Sequence, residues 1–311
     1  MFDHWVMAVV VGPFAGMVVV RLLAERLRPG DAAVVFAWSA VMLAASSTVS
    51  LFVFALKAAA ELPSVAARGN WSHERVLLDT AHVPWASWLS LVLLVAVLLS
   101  LGRTRRSQRR AVRAARRQAA ALPDHGPGDV VLLPDGTADA FTLPGPDGRI
   151  VVTTGMRDAL TDGQYTALIA HERAHLTGRH HQLVMLAWLA AATHPLLRPM
   201  ARHVEYLVER WADERAAEQT GDRRVVAQAL GVAALATNRR GGLAHAGALH
   251  VSVTTRPGAV PRRMAAMLRP ANPVRHSYLL YVPAIVAVAS AVWAGEGVYD
   301  LHELLGLART H

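Results

Sequence analysis

The stretch LIAHERAHLTGRHH, Leu168 to His181, places imidazoles and a carboxylate inside an apolar run. Two histidines four residues apart lie one above the other on one face of a helix. His171 and His175 can therefore grip one metal ion, with Glu172 projecting at the rim of the same site. The chemistry that an H-E-x-x-H spacing supports is metal-assisted hydrolysis.

Three fixed positions also arise by chance. HERVL at His73 and HELLG at His302 begin with His-Glu but lack the second histidine, and both read as surface residues. A third ligand is needed, because catalytic zinc takes three protein ligands and keeps an open position. HVEYLVERWADERAAE, His203 to Glu218, puts Glu205, Glu209 and Asp213 at successive fourth positions on one helical face. A metal explains three acids on one stripe. So does a solvated charged face, since Arg202, Arg210 and Arg215 stand alongside. The chain has no cysteine, so any ion here is held by nitrogen and oxygen.

The first helix is well punctuated. Thr161 and Gln164 form a T-x-x-Q capping box, and Gly178 is a stop, so the two histidines fall well inside. Before it, Pro-Asp-Gly and Gly-Pro-Asp-Gly turns separate three short β-prone runs, Val130–Leu133, Ala140–Leu143 and Ile150–Thr153, which read as a small sheet. Between the two motif helices, His181 to Met200 is almost entirely apolar. A fifth membrane crossing there would put Glu209 on the opposite side from His171. The segment is therefore expected to be buried in the domain or to lie in the interface as a hairpin.

The whole chain is unusually apolar. Hydrophobic residues make up 53% and charged residues only 18% of the 311, and the mean hydropathy is +0.28. Average usage is roughly 25% charged, so a membrane protein is expected. Four stretches approach the roughly 20 apolar residues a crossing needs: about 4–22, 32–58, 84–102 and 277–296. The first has no basic n-region and does not read as a secretory signal. RTRRSQRRAVRAARR, Arg103 to Arg117, carries eight arginines and no acid. By the positive-inside rule it lies in the cytoplasm, as does the turn holding Arg21, Arg26 and Arg28. Both termini are then external, with a short tail over 297–311. The arginine run reads as a lipid-contacting helix rather than a nucleic-acid site. The outer loop, Ala58 to Val83, names no signal, although His73, Glu74, Asp79 and His82 make it polar.

HERAH followed by ERWAD resembles the H-E-x-x-H plus E-x-x-x-D pair of gluzincin membrane peptidases, which include the heat-shock and CAAX-processing proteases and the BlaR/MecR family, M56. AFTLPGPDGRIVVTTGM resembles the strands before the motif helix in those families, and VPRRMAAML, Val260 to Leu268, resembles their arginine-containing segment. Four spans with the zinc domain between the third and fourth are most similar to BlaR/MecR. The expected fold is thus mainly α, with four transmembrane helices and a cytoplasmic α+β zinc peptidase domain over 103–276. Only about fifteen residues follow the fourth span, so the penicillin-binding sensor of the classical receptors is absent and β-lactam sensing is not expected.

The resemblance implies that His171, His175 and Glu209 bind one Zn2+ per chain, that Glu172 is the general base and acid, and that Asp213 orients a ligand histidine. It implies an endopeptidase in the bacterial plasma membrane acting on a protein substrate, with a BlaI/MecI-like repressor as candidate. Quality control of membrane proteins and a non-catalytic receptor or scaffold are the alternatives. His203, Arg262 and Arg263 are oxyanion candidates, each read as structural first, and His180 and His181 are read as helix-start or surface residues. No direct nucleic-acid contact is expected, and oligomerisation is left open.

Overall fold

The computed structural model describes residues 1–78, 83–121, 129–145, 148–239, 258–270 and 277–309. Asp79 and His82 of the polar loop lie outside the described residues, as does the side chain of His73.

Among the described residues, four helices are long and apolar enough to cross a membrane. They are α1 (Phe2–Leu23), α2 (Pro29–Ala60), α3 (Trp85–Ala121) and α10 (Tyr281–Arg309). α2 is the spine, with Ala32, Phe36, Ala37, Ala40 and Leu43 all fully buried. Such alanine-rich faces let helix backbones approach closely. α1 widens into a π-turn over Met7–Val11, just before Pro13. A proline has no N–H, and its ring crowds the carbonyl four residues back. Two carbonyls near it take side-chain donors instead: Ser47 Oγ donates to Ala8 (2.8 Å) and His194 Nε2 to Val9 (2.9 Å).

Two helices outrun the spans expected from hydropathy. α3 continues unbroken through the arginine run to Ala121. At 100° per residue its eight arginines fall in an arc of about 160°, and all are exposed. The opposite face holds Gln108, which donates to the Met185 carbonyl (3.0 Å), and buried Ala115. α10 stays helical to Arg309, so the expected tail over 297–311 is corrected for its described part. Leu301 and Ala308 are buried there, Ser72 N–H donates to the Ala308 carbonyl and Arg75 to that of Leu307. No proline interrupts the stretch after Pro283, and Leu, Glu and Ala favour helix.

The region between α3 and α10 starts with a three-stranded sheet, β1 (Val130–Leu133), β2 (Ala140–Leu143) and β3 (Arg149–Thr153), in the order β1-β3-β2. β3 runs parallel to β1 and antiparallel to β2. Side chains alternate between faces. Phe141, Leu143 and Val151 meet Ala115 of α3, while Ile150 and Val152 meet Met156, Leu160 and Ile169. Helices follow: α4 (Thr154–Ala159), α5 (Asp162–Thr177), α6 (His180–Thr193), α7 (Arg198–Thr220), α8 (Arg223–Arg239) and α9 (Ala259–Met267).

α6 and the start of α7 form a hairpin closed by a 3₁₀ turn at Pro195–Leu197. Its apolar seam belongs to the helix bundle and not to the sheet's core. Val184, Ala187, Ala191, Leu197 and Met200 share one core with Val20 of α1, Phe36 and Leu43 of α2 and Ala287 of α10. The tip reaches far along the bundle. Val9, capped by His194, is fourteen residues from Leu23, about 21 Å at 1.5 Å per residue. The base of the hairpin sits beside the α1–α2 turn, where Arg210 pairs with Glu25 (3.6 Å) and Trp211 packs on Gly30.

Candidate metal centre

α5 carries His171, Glu172 and His175. Its start is fixed by the Thr161–Gln164 capping box, both hydrogen bonds of which are formed. Arg173, on the next face, grips Asp129 through two 2.7 Å bonds and ties the helix to the start of β1. α7 crosses α5 and presents Glu209 and Asp213, both buried.

Ligand-type atoms of three side chains converge. His171 Nε2 and His175 Nε2 are 3.1 Å apart, Glu209 Oε2 is 3.6 Å from the first, and Glu209 Oε1 is 3.5 Å from the second. A tetrahedral ion with bonds of about 2.0–2.1 Å needs ligand atoms about 3.3 Å apart. These contacts, which use both Glu209 oxygens, bracket that spacing; with one ligand atom taken from each side chain, the three atoms of this triangle lie within 4.8 Å of one another and are of the nitrogen and oxygen types zinc accepts. Among the described residues this is the one group of three or more such side chains able to hold a metal ion.

The second layer is ionic. Asp213 Oδ1 lies 2.9 Å from His171 Nδ1, a short contact that is not an aligned hydrogen bond. Arg263 of α9 is 2% exposed and binds both acids: Nε and Nη2 hold Asp213 (2.8 and 2.7 Å), and Nη1 holds Glu209 Oε2 (2.8 Å). Burial alone would raise both carboxyl pKa values, but Arg263 together with His171, and His175 for Glu209, outweighs it and keeps both low. Burial also disfavours the charge on His171, yet Asp213 and Glu209 raise its pKa overall. For Glu172 burial prevails over the pull of His171 and Arg263. Burial, with Glu209 adding to it, pushes its carboxyl up to about 7, in the range where a general base works best.

A cleft opens beside the triangle, between β2 and α8. Glu172 and Arg263 line it, with Phe141, Leu168, Ala229 and Ala233 as apolar walls. The other acid of the stripe is elsewhere employed: Glu205 Oε1 accepts from Trp188 Nε1 (2.6 Å). Two of the three oxyanion candidates are also engaged outside the triangle. His203 Nδ1 bonds the Pro199 carbonyl (2.8 Å), and the Arg262 guanidinium sits 4.8 Å over the Tyr206 ring. His181 lines the cleft.

His180 starts α6, as one of its two readings expected, but the surface alternative is corrected. The residue is 1% exposed, with Nδ1 3.1 Å from His175 Nδ1. Gly178 and Arg179 put it there. Arg179 adopts left-handed backbone (φ 48°), which folds the chain back. A Cβ at Gly178 would come within 2.3 Å of His180 Nε2, so only glycine fits. No helical-spacing rule points at this residue, because the contact crosses a helix break.

Substitution should separate these roles. His175→Ala and Glu209→Ala are each expected to lose most zinc, measured by metal analysis of purified chain, whereas Glu205→Ala should keep it. Loss at Glu205 and retention at Glu209 would move the ligand by one helical turn.

The chain thus combines helices of membrane-spanning length with a buried His-His-Glu group that could hold a metal ion and an adjoining carboxylate, the features of a metallopeptidase site. Residues 101–190 match the peptidase family M48. That segment covers α5 with its H-E-x-x-H and ends before Glu209, so the third ligand rests on geometry. No curated protein and no solved structure matches the chain.

Proposed function

We propose that the chain is a zinc-dependent endopeptidase of the bacterial plasma membrane, with its catalytic groups on the cytoplasmic side. The observation that carries this is the convergence of His171, His175 and Glu209, with contacts of 3.1, 3.5 and 3.6 Å, and Glu172 beside them on the cleft. His171, His175 and Glu209 would hold the ion. When bound, zinc lowers the pKa of a water it coordinates and polarises the scissile carbonyl. The rest belongs to the chain. Glu172 takes the proton of the attacking water and hands it to the leaving amine. Asp213 steadies His171, and Arg263 keeps Glu209 and Asp213 ionised. The apolar walls exclude water around the scissile bond.

The hairpin supports a substrate near the bilayer. Its base carries the site, and that base is level with the α1–α2 turn. The BlaR/MecR resemblance supports a signalling role, with a BlaI/MecI-like repressor as partner. The match over residues 101–190 favours a second reading, in which the same chemistry serves membrane-protein quality control. A winged-helix repressor encoded beside this chain, and cleaved by it, supports the first. Cleavage of many misfolded membrane proteins supports the second.

Orientation rests on the arginines. Arg103, Arg105 and Arg106 leave the apolar part of α3 first and meet anionic headgroups. Reporter fusions after Gly126 and at the C-terminus should report opposite sides, with Gly126 inside. The same side for both would mean that a crossing was miscounted.

A further inference from the structure

We infer that His180 is the positioning residue for His175, accepting a hydrogen bond from its Nδ1–H and so fixing the tautomer that turns Nε2 toward the metal. The inference rests on the metal-site reading above. Nε2 of His175 faces His171 and Glu209 (3.1 and 3.5 Å). An imidazole that offers Nε2 as a ligand carries its proton on Nδ1. That proton needs an acceptor in a buried site. The atom 3.1 Å away is His180 Nδ1. His180 therefore holds its own proton on Nε2.

The acceptor is held on both sides. One face of the His180 ring lies against Trp211 of α7, with centroids 4.4 Å apart and planes at 38°. Its edge meets His175 at 85°, with centroids 4.9 Å apart. Trp211 is in turn backed by Gly30, the second residue of α2, where a Cβ would come within 2.9 Å of the indole. The ring thus has little room to rotate away from His175.

The two ligand histidines are backed differently, and charge explains why. His171 has the carboxylate of Asp213 behind it, neutralised by Arg263. In the metal-free chain a second buried carboxylate behind His175 would be a further acid beside the Arg263 cation that already holds Glu209 and Asp213, and a buried charge without its partner is costly. A neutral imidazole accepts the same hydrogen bond without adding charge.

The experiment uses full-length chain in neutral detergent. Zinc affinity is measured by competition with a chelating dye, and the cobalt-substituted protein supplies a visible spectrum. His180→Phe keeps a ring against Trp211 and removes the acceptor. It should weaken zinc binding about 10–100-fold, the usual effect of losing such a partner, and alter the cobalt spectrum. His180→Asn restores an acceptor near the same point and should recover most of the affinity. His180→Leu, matched in size to the Asn variant, repeats the comparison if the Phe variant does not fold. Parent-like affinity and spectrum in the variants lacking an acceptor would overturn the inference, as would equal losses in the Asn and Leu variants. A parent chain that binds no zinc would instead sink the proposed function.

Discussion

Glu172→Gln in the full-length chain should bind zinc and fold like the parent while cleaving about 10²–10⁴-fold more slowly, the usual cost of losing general acid–base help. The side chain sits one position beyond His171, rotated about 100° around the helix axis. It therefore lines the cleft without joining the triangle. The amide keeps the shape and loses the basic site. A co-expressed membrane-proximal reporter, or a repressor encoded nearby, supplies the readout. A Gln variant that cleaves as fast as the parent would remove Glu172 from the mechanism. A chain that cleaves nothing in either form would favour a receptor or scaffold.

Replacing Arg263 should give the largest loss of stability in the metal-free protein. Arg263→Met leaves Glu209 and Asp213 buried without their shared cation. Breaking a buried pair from one side costs about 3–5 kcal/mol. Thermal unfolding in detergent should show a clear fall, and saturating zinc should recover part of it, because a divalent cation takes over the compensation and binds only the folded site. A metal-free Arg263→Met chain that melts with the parent would mean that the two acids do not depend on Arg263.

The parts of this arrangement that sequence could expose are those set by local rules. The Thr161–Gln164 cap, the turns around the three strands and the four-residue step from His171 to His175 each depend on neighbours within a few positions. Glu209 and Asp213 stood out through the same step on α7, but the spacing alone left a metal and a solvated face equally open. Arg263 lies fifty residues beyond Asp213, and no periodicity links a guanidinium to acids on another helix. His180 is only five residues from His175, yet a regular helix would have carried it to another face. The left-handed turn at Arg179 brings it back. Hydropathy marked 181–200 as apolar but could not tell a crossing from a hairpin, since both need the same residues. It also ended α3 and α10 where polarity rises, although helix continues through arginine and glutamate alike.

The hydrogen bond from His194 to Val9 bears on how this protein can be taken apart. α1 passes through a π-turn before Pro13, and a carbonyl there finds its donor on the tip of the hairpin that carries Glu209 at its other end. A cut before Arg103 would strip the hairpin of α1 and α2, leaving Leu197, Met200 and Leu207 exposed and Val9 without its cap. The catalytic half is thus not a detachable module. An excised 103–276 fragment should be insoluble or metal-poor, and recombining it with the first three helices in one bilayer is the route by which its pocket would re-form.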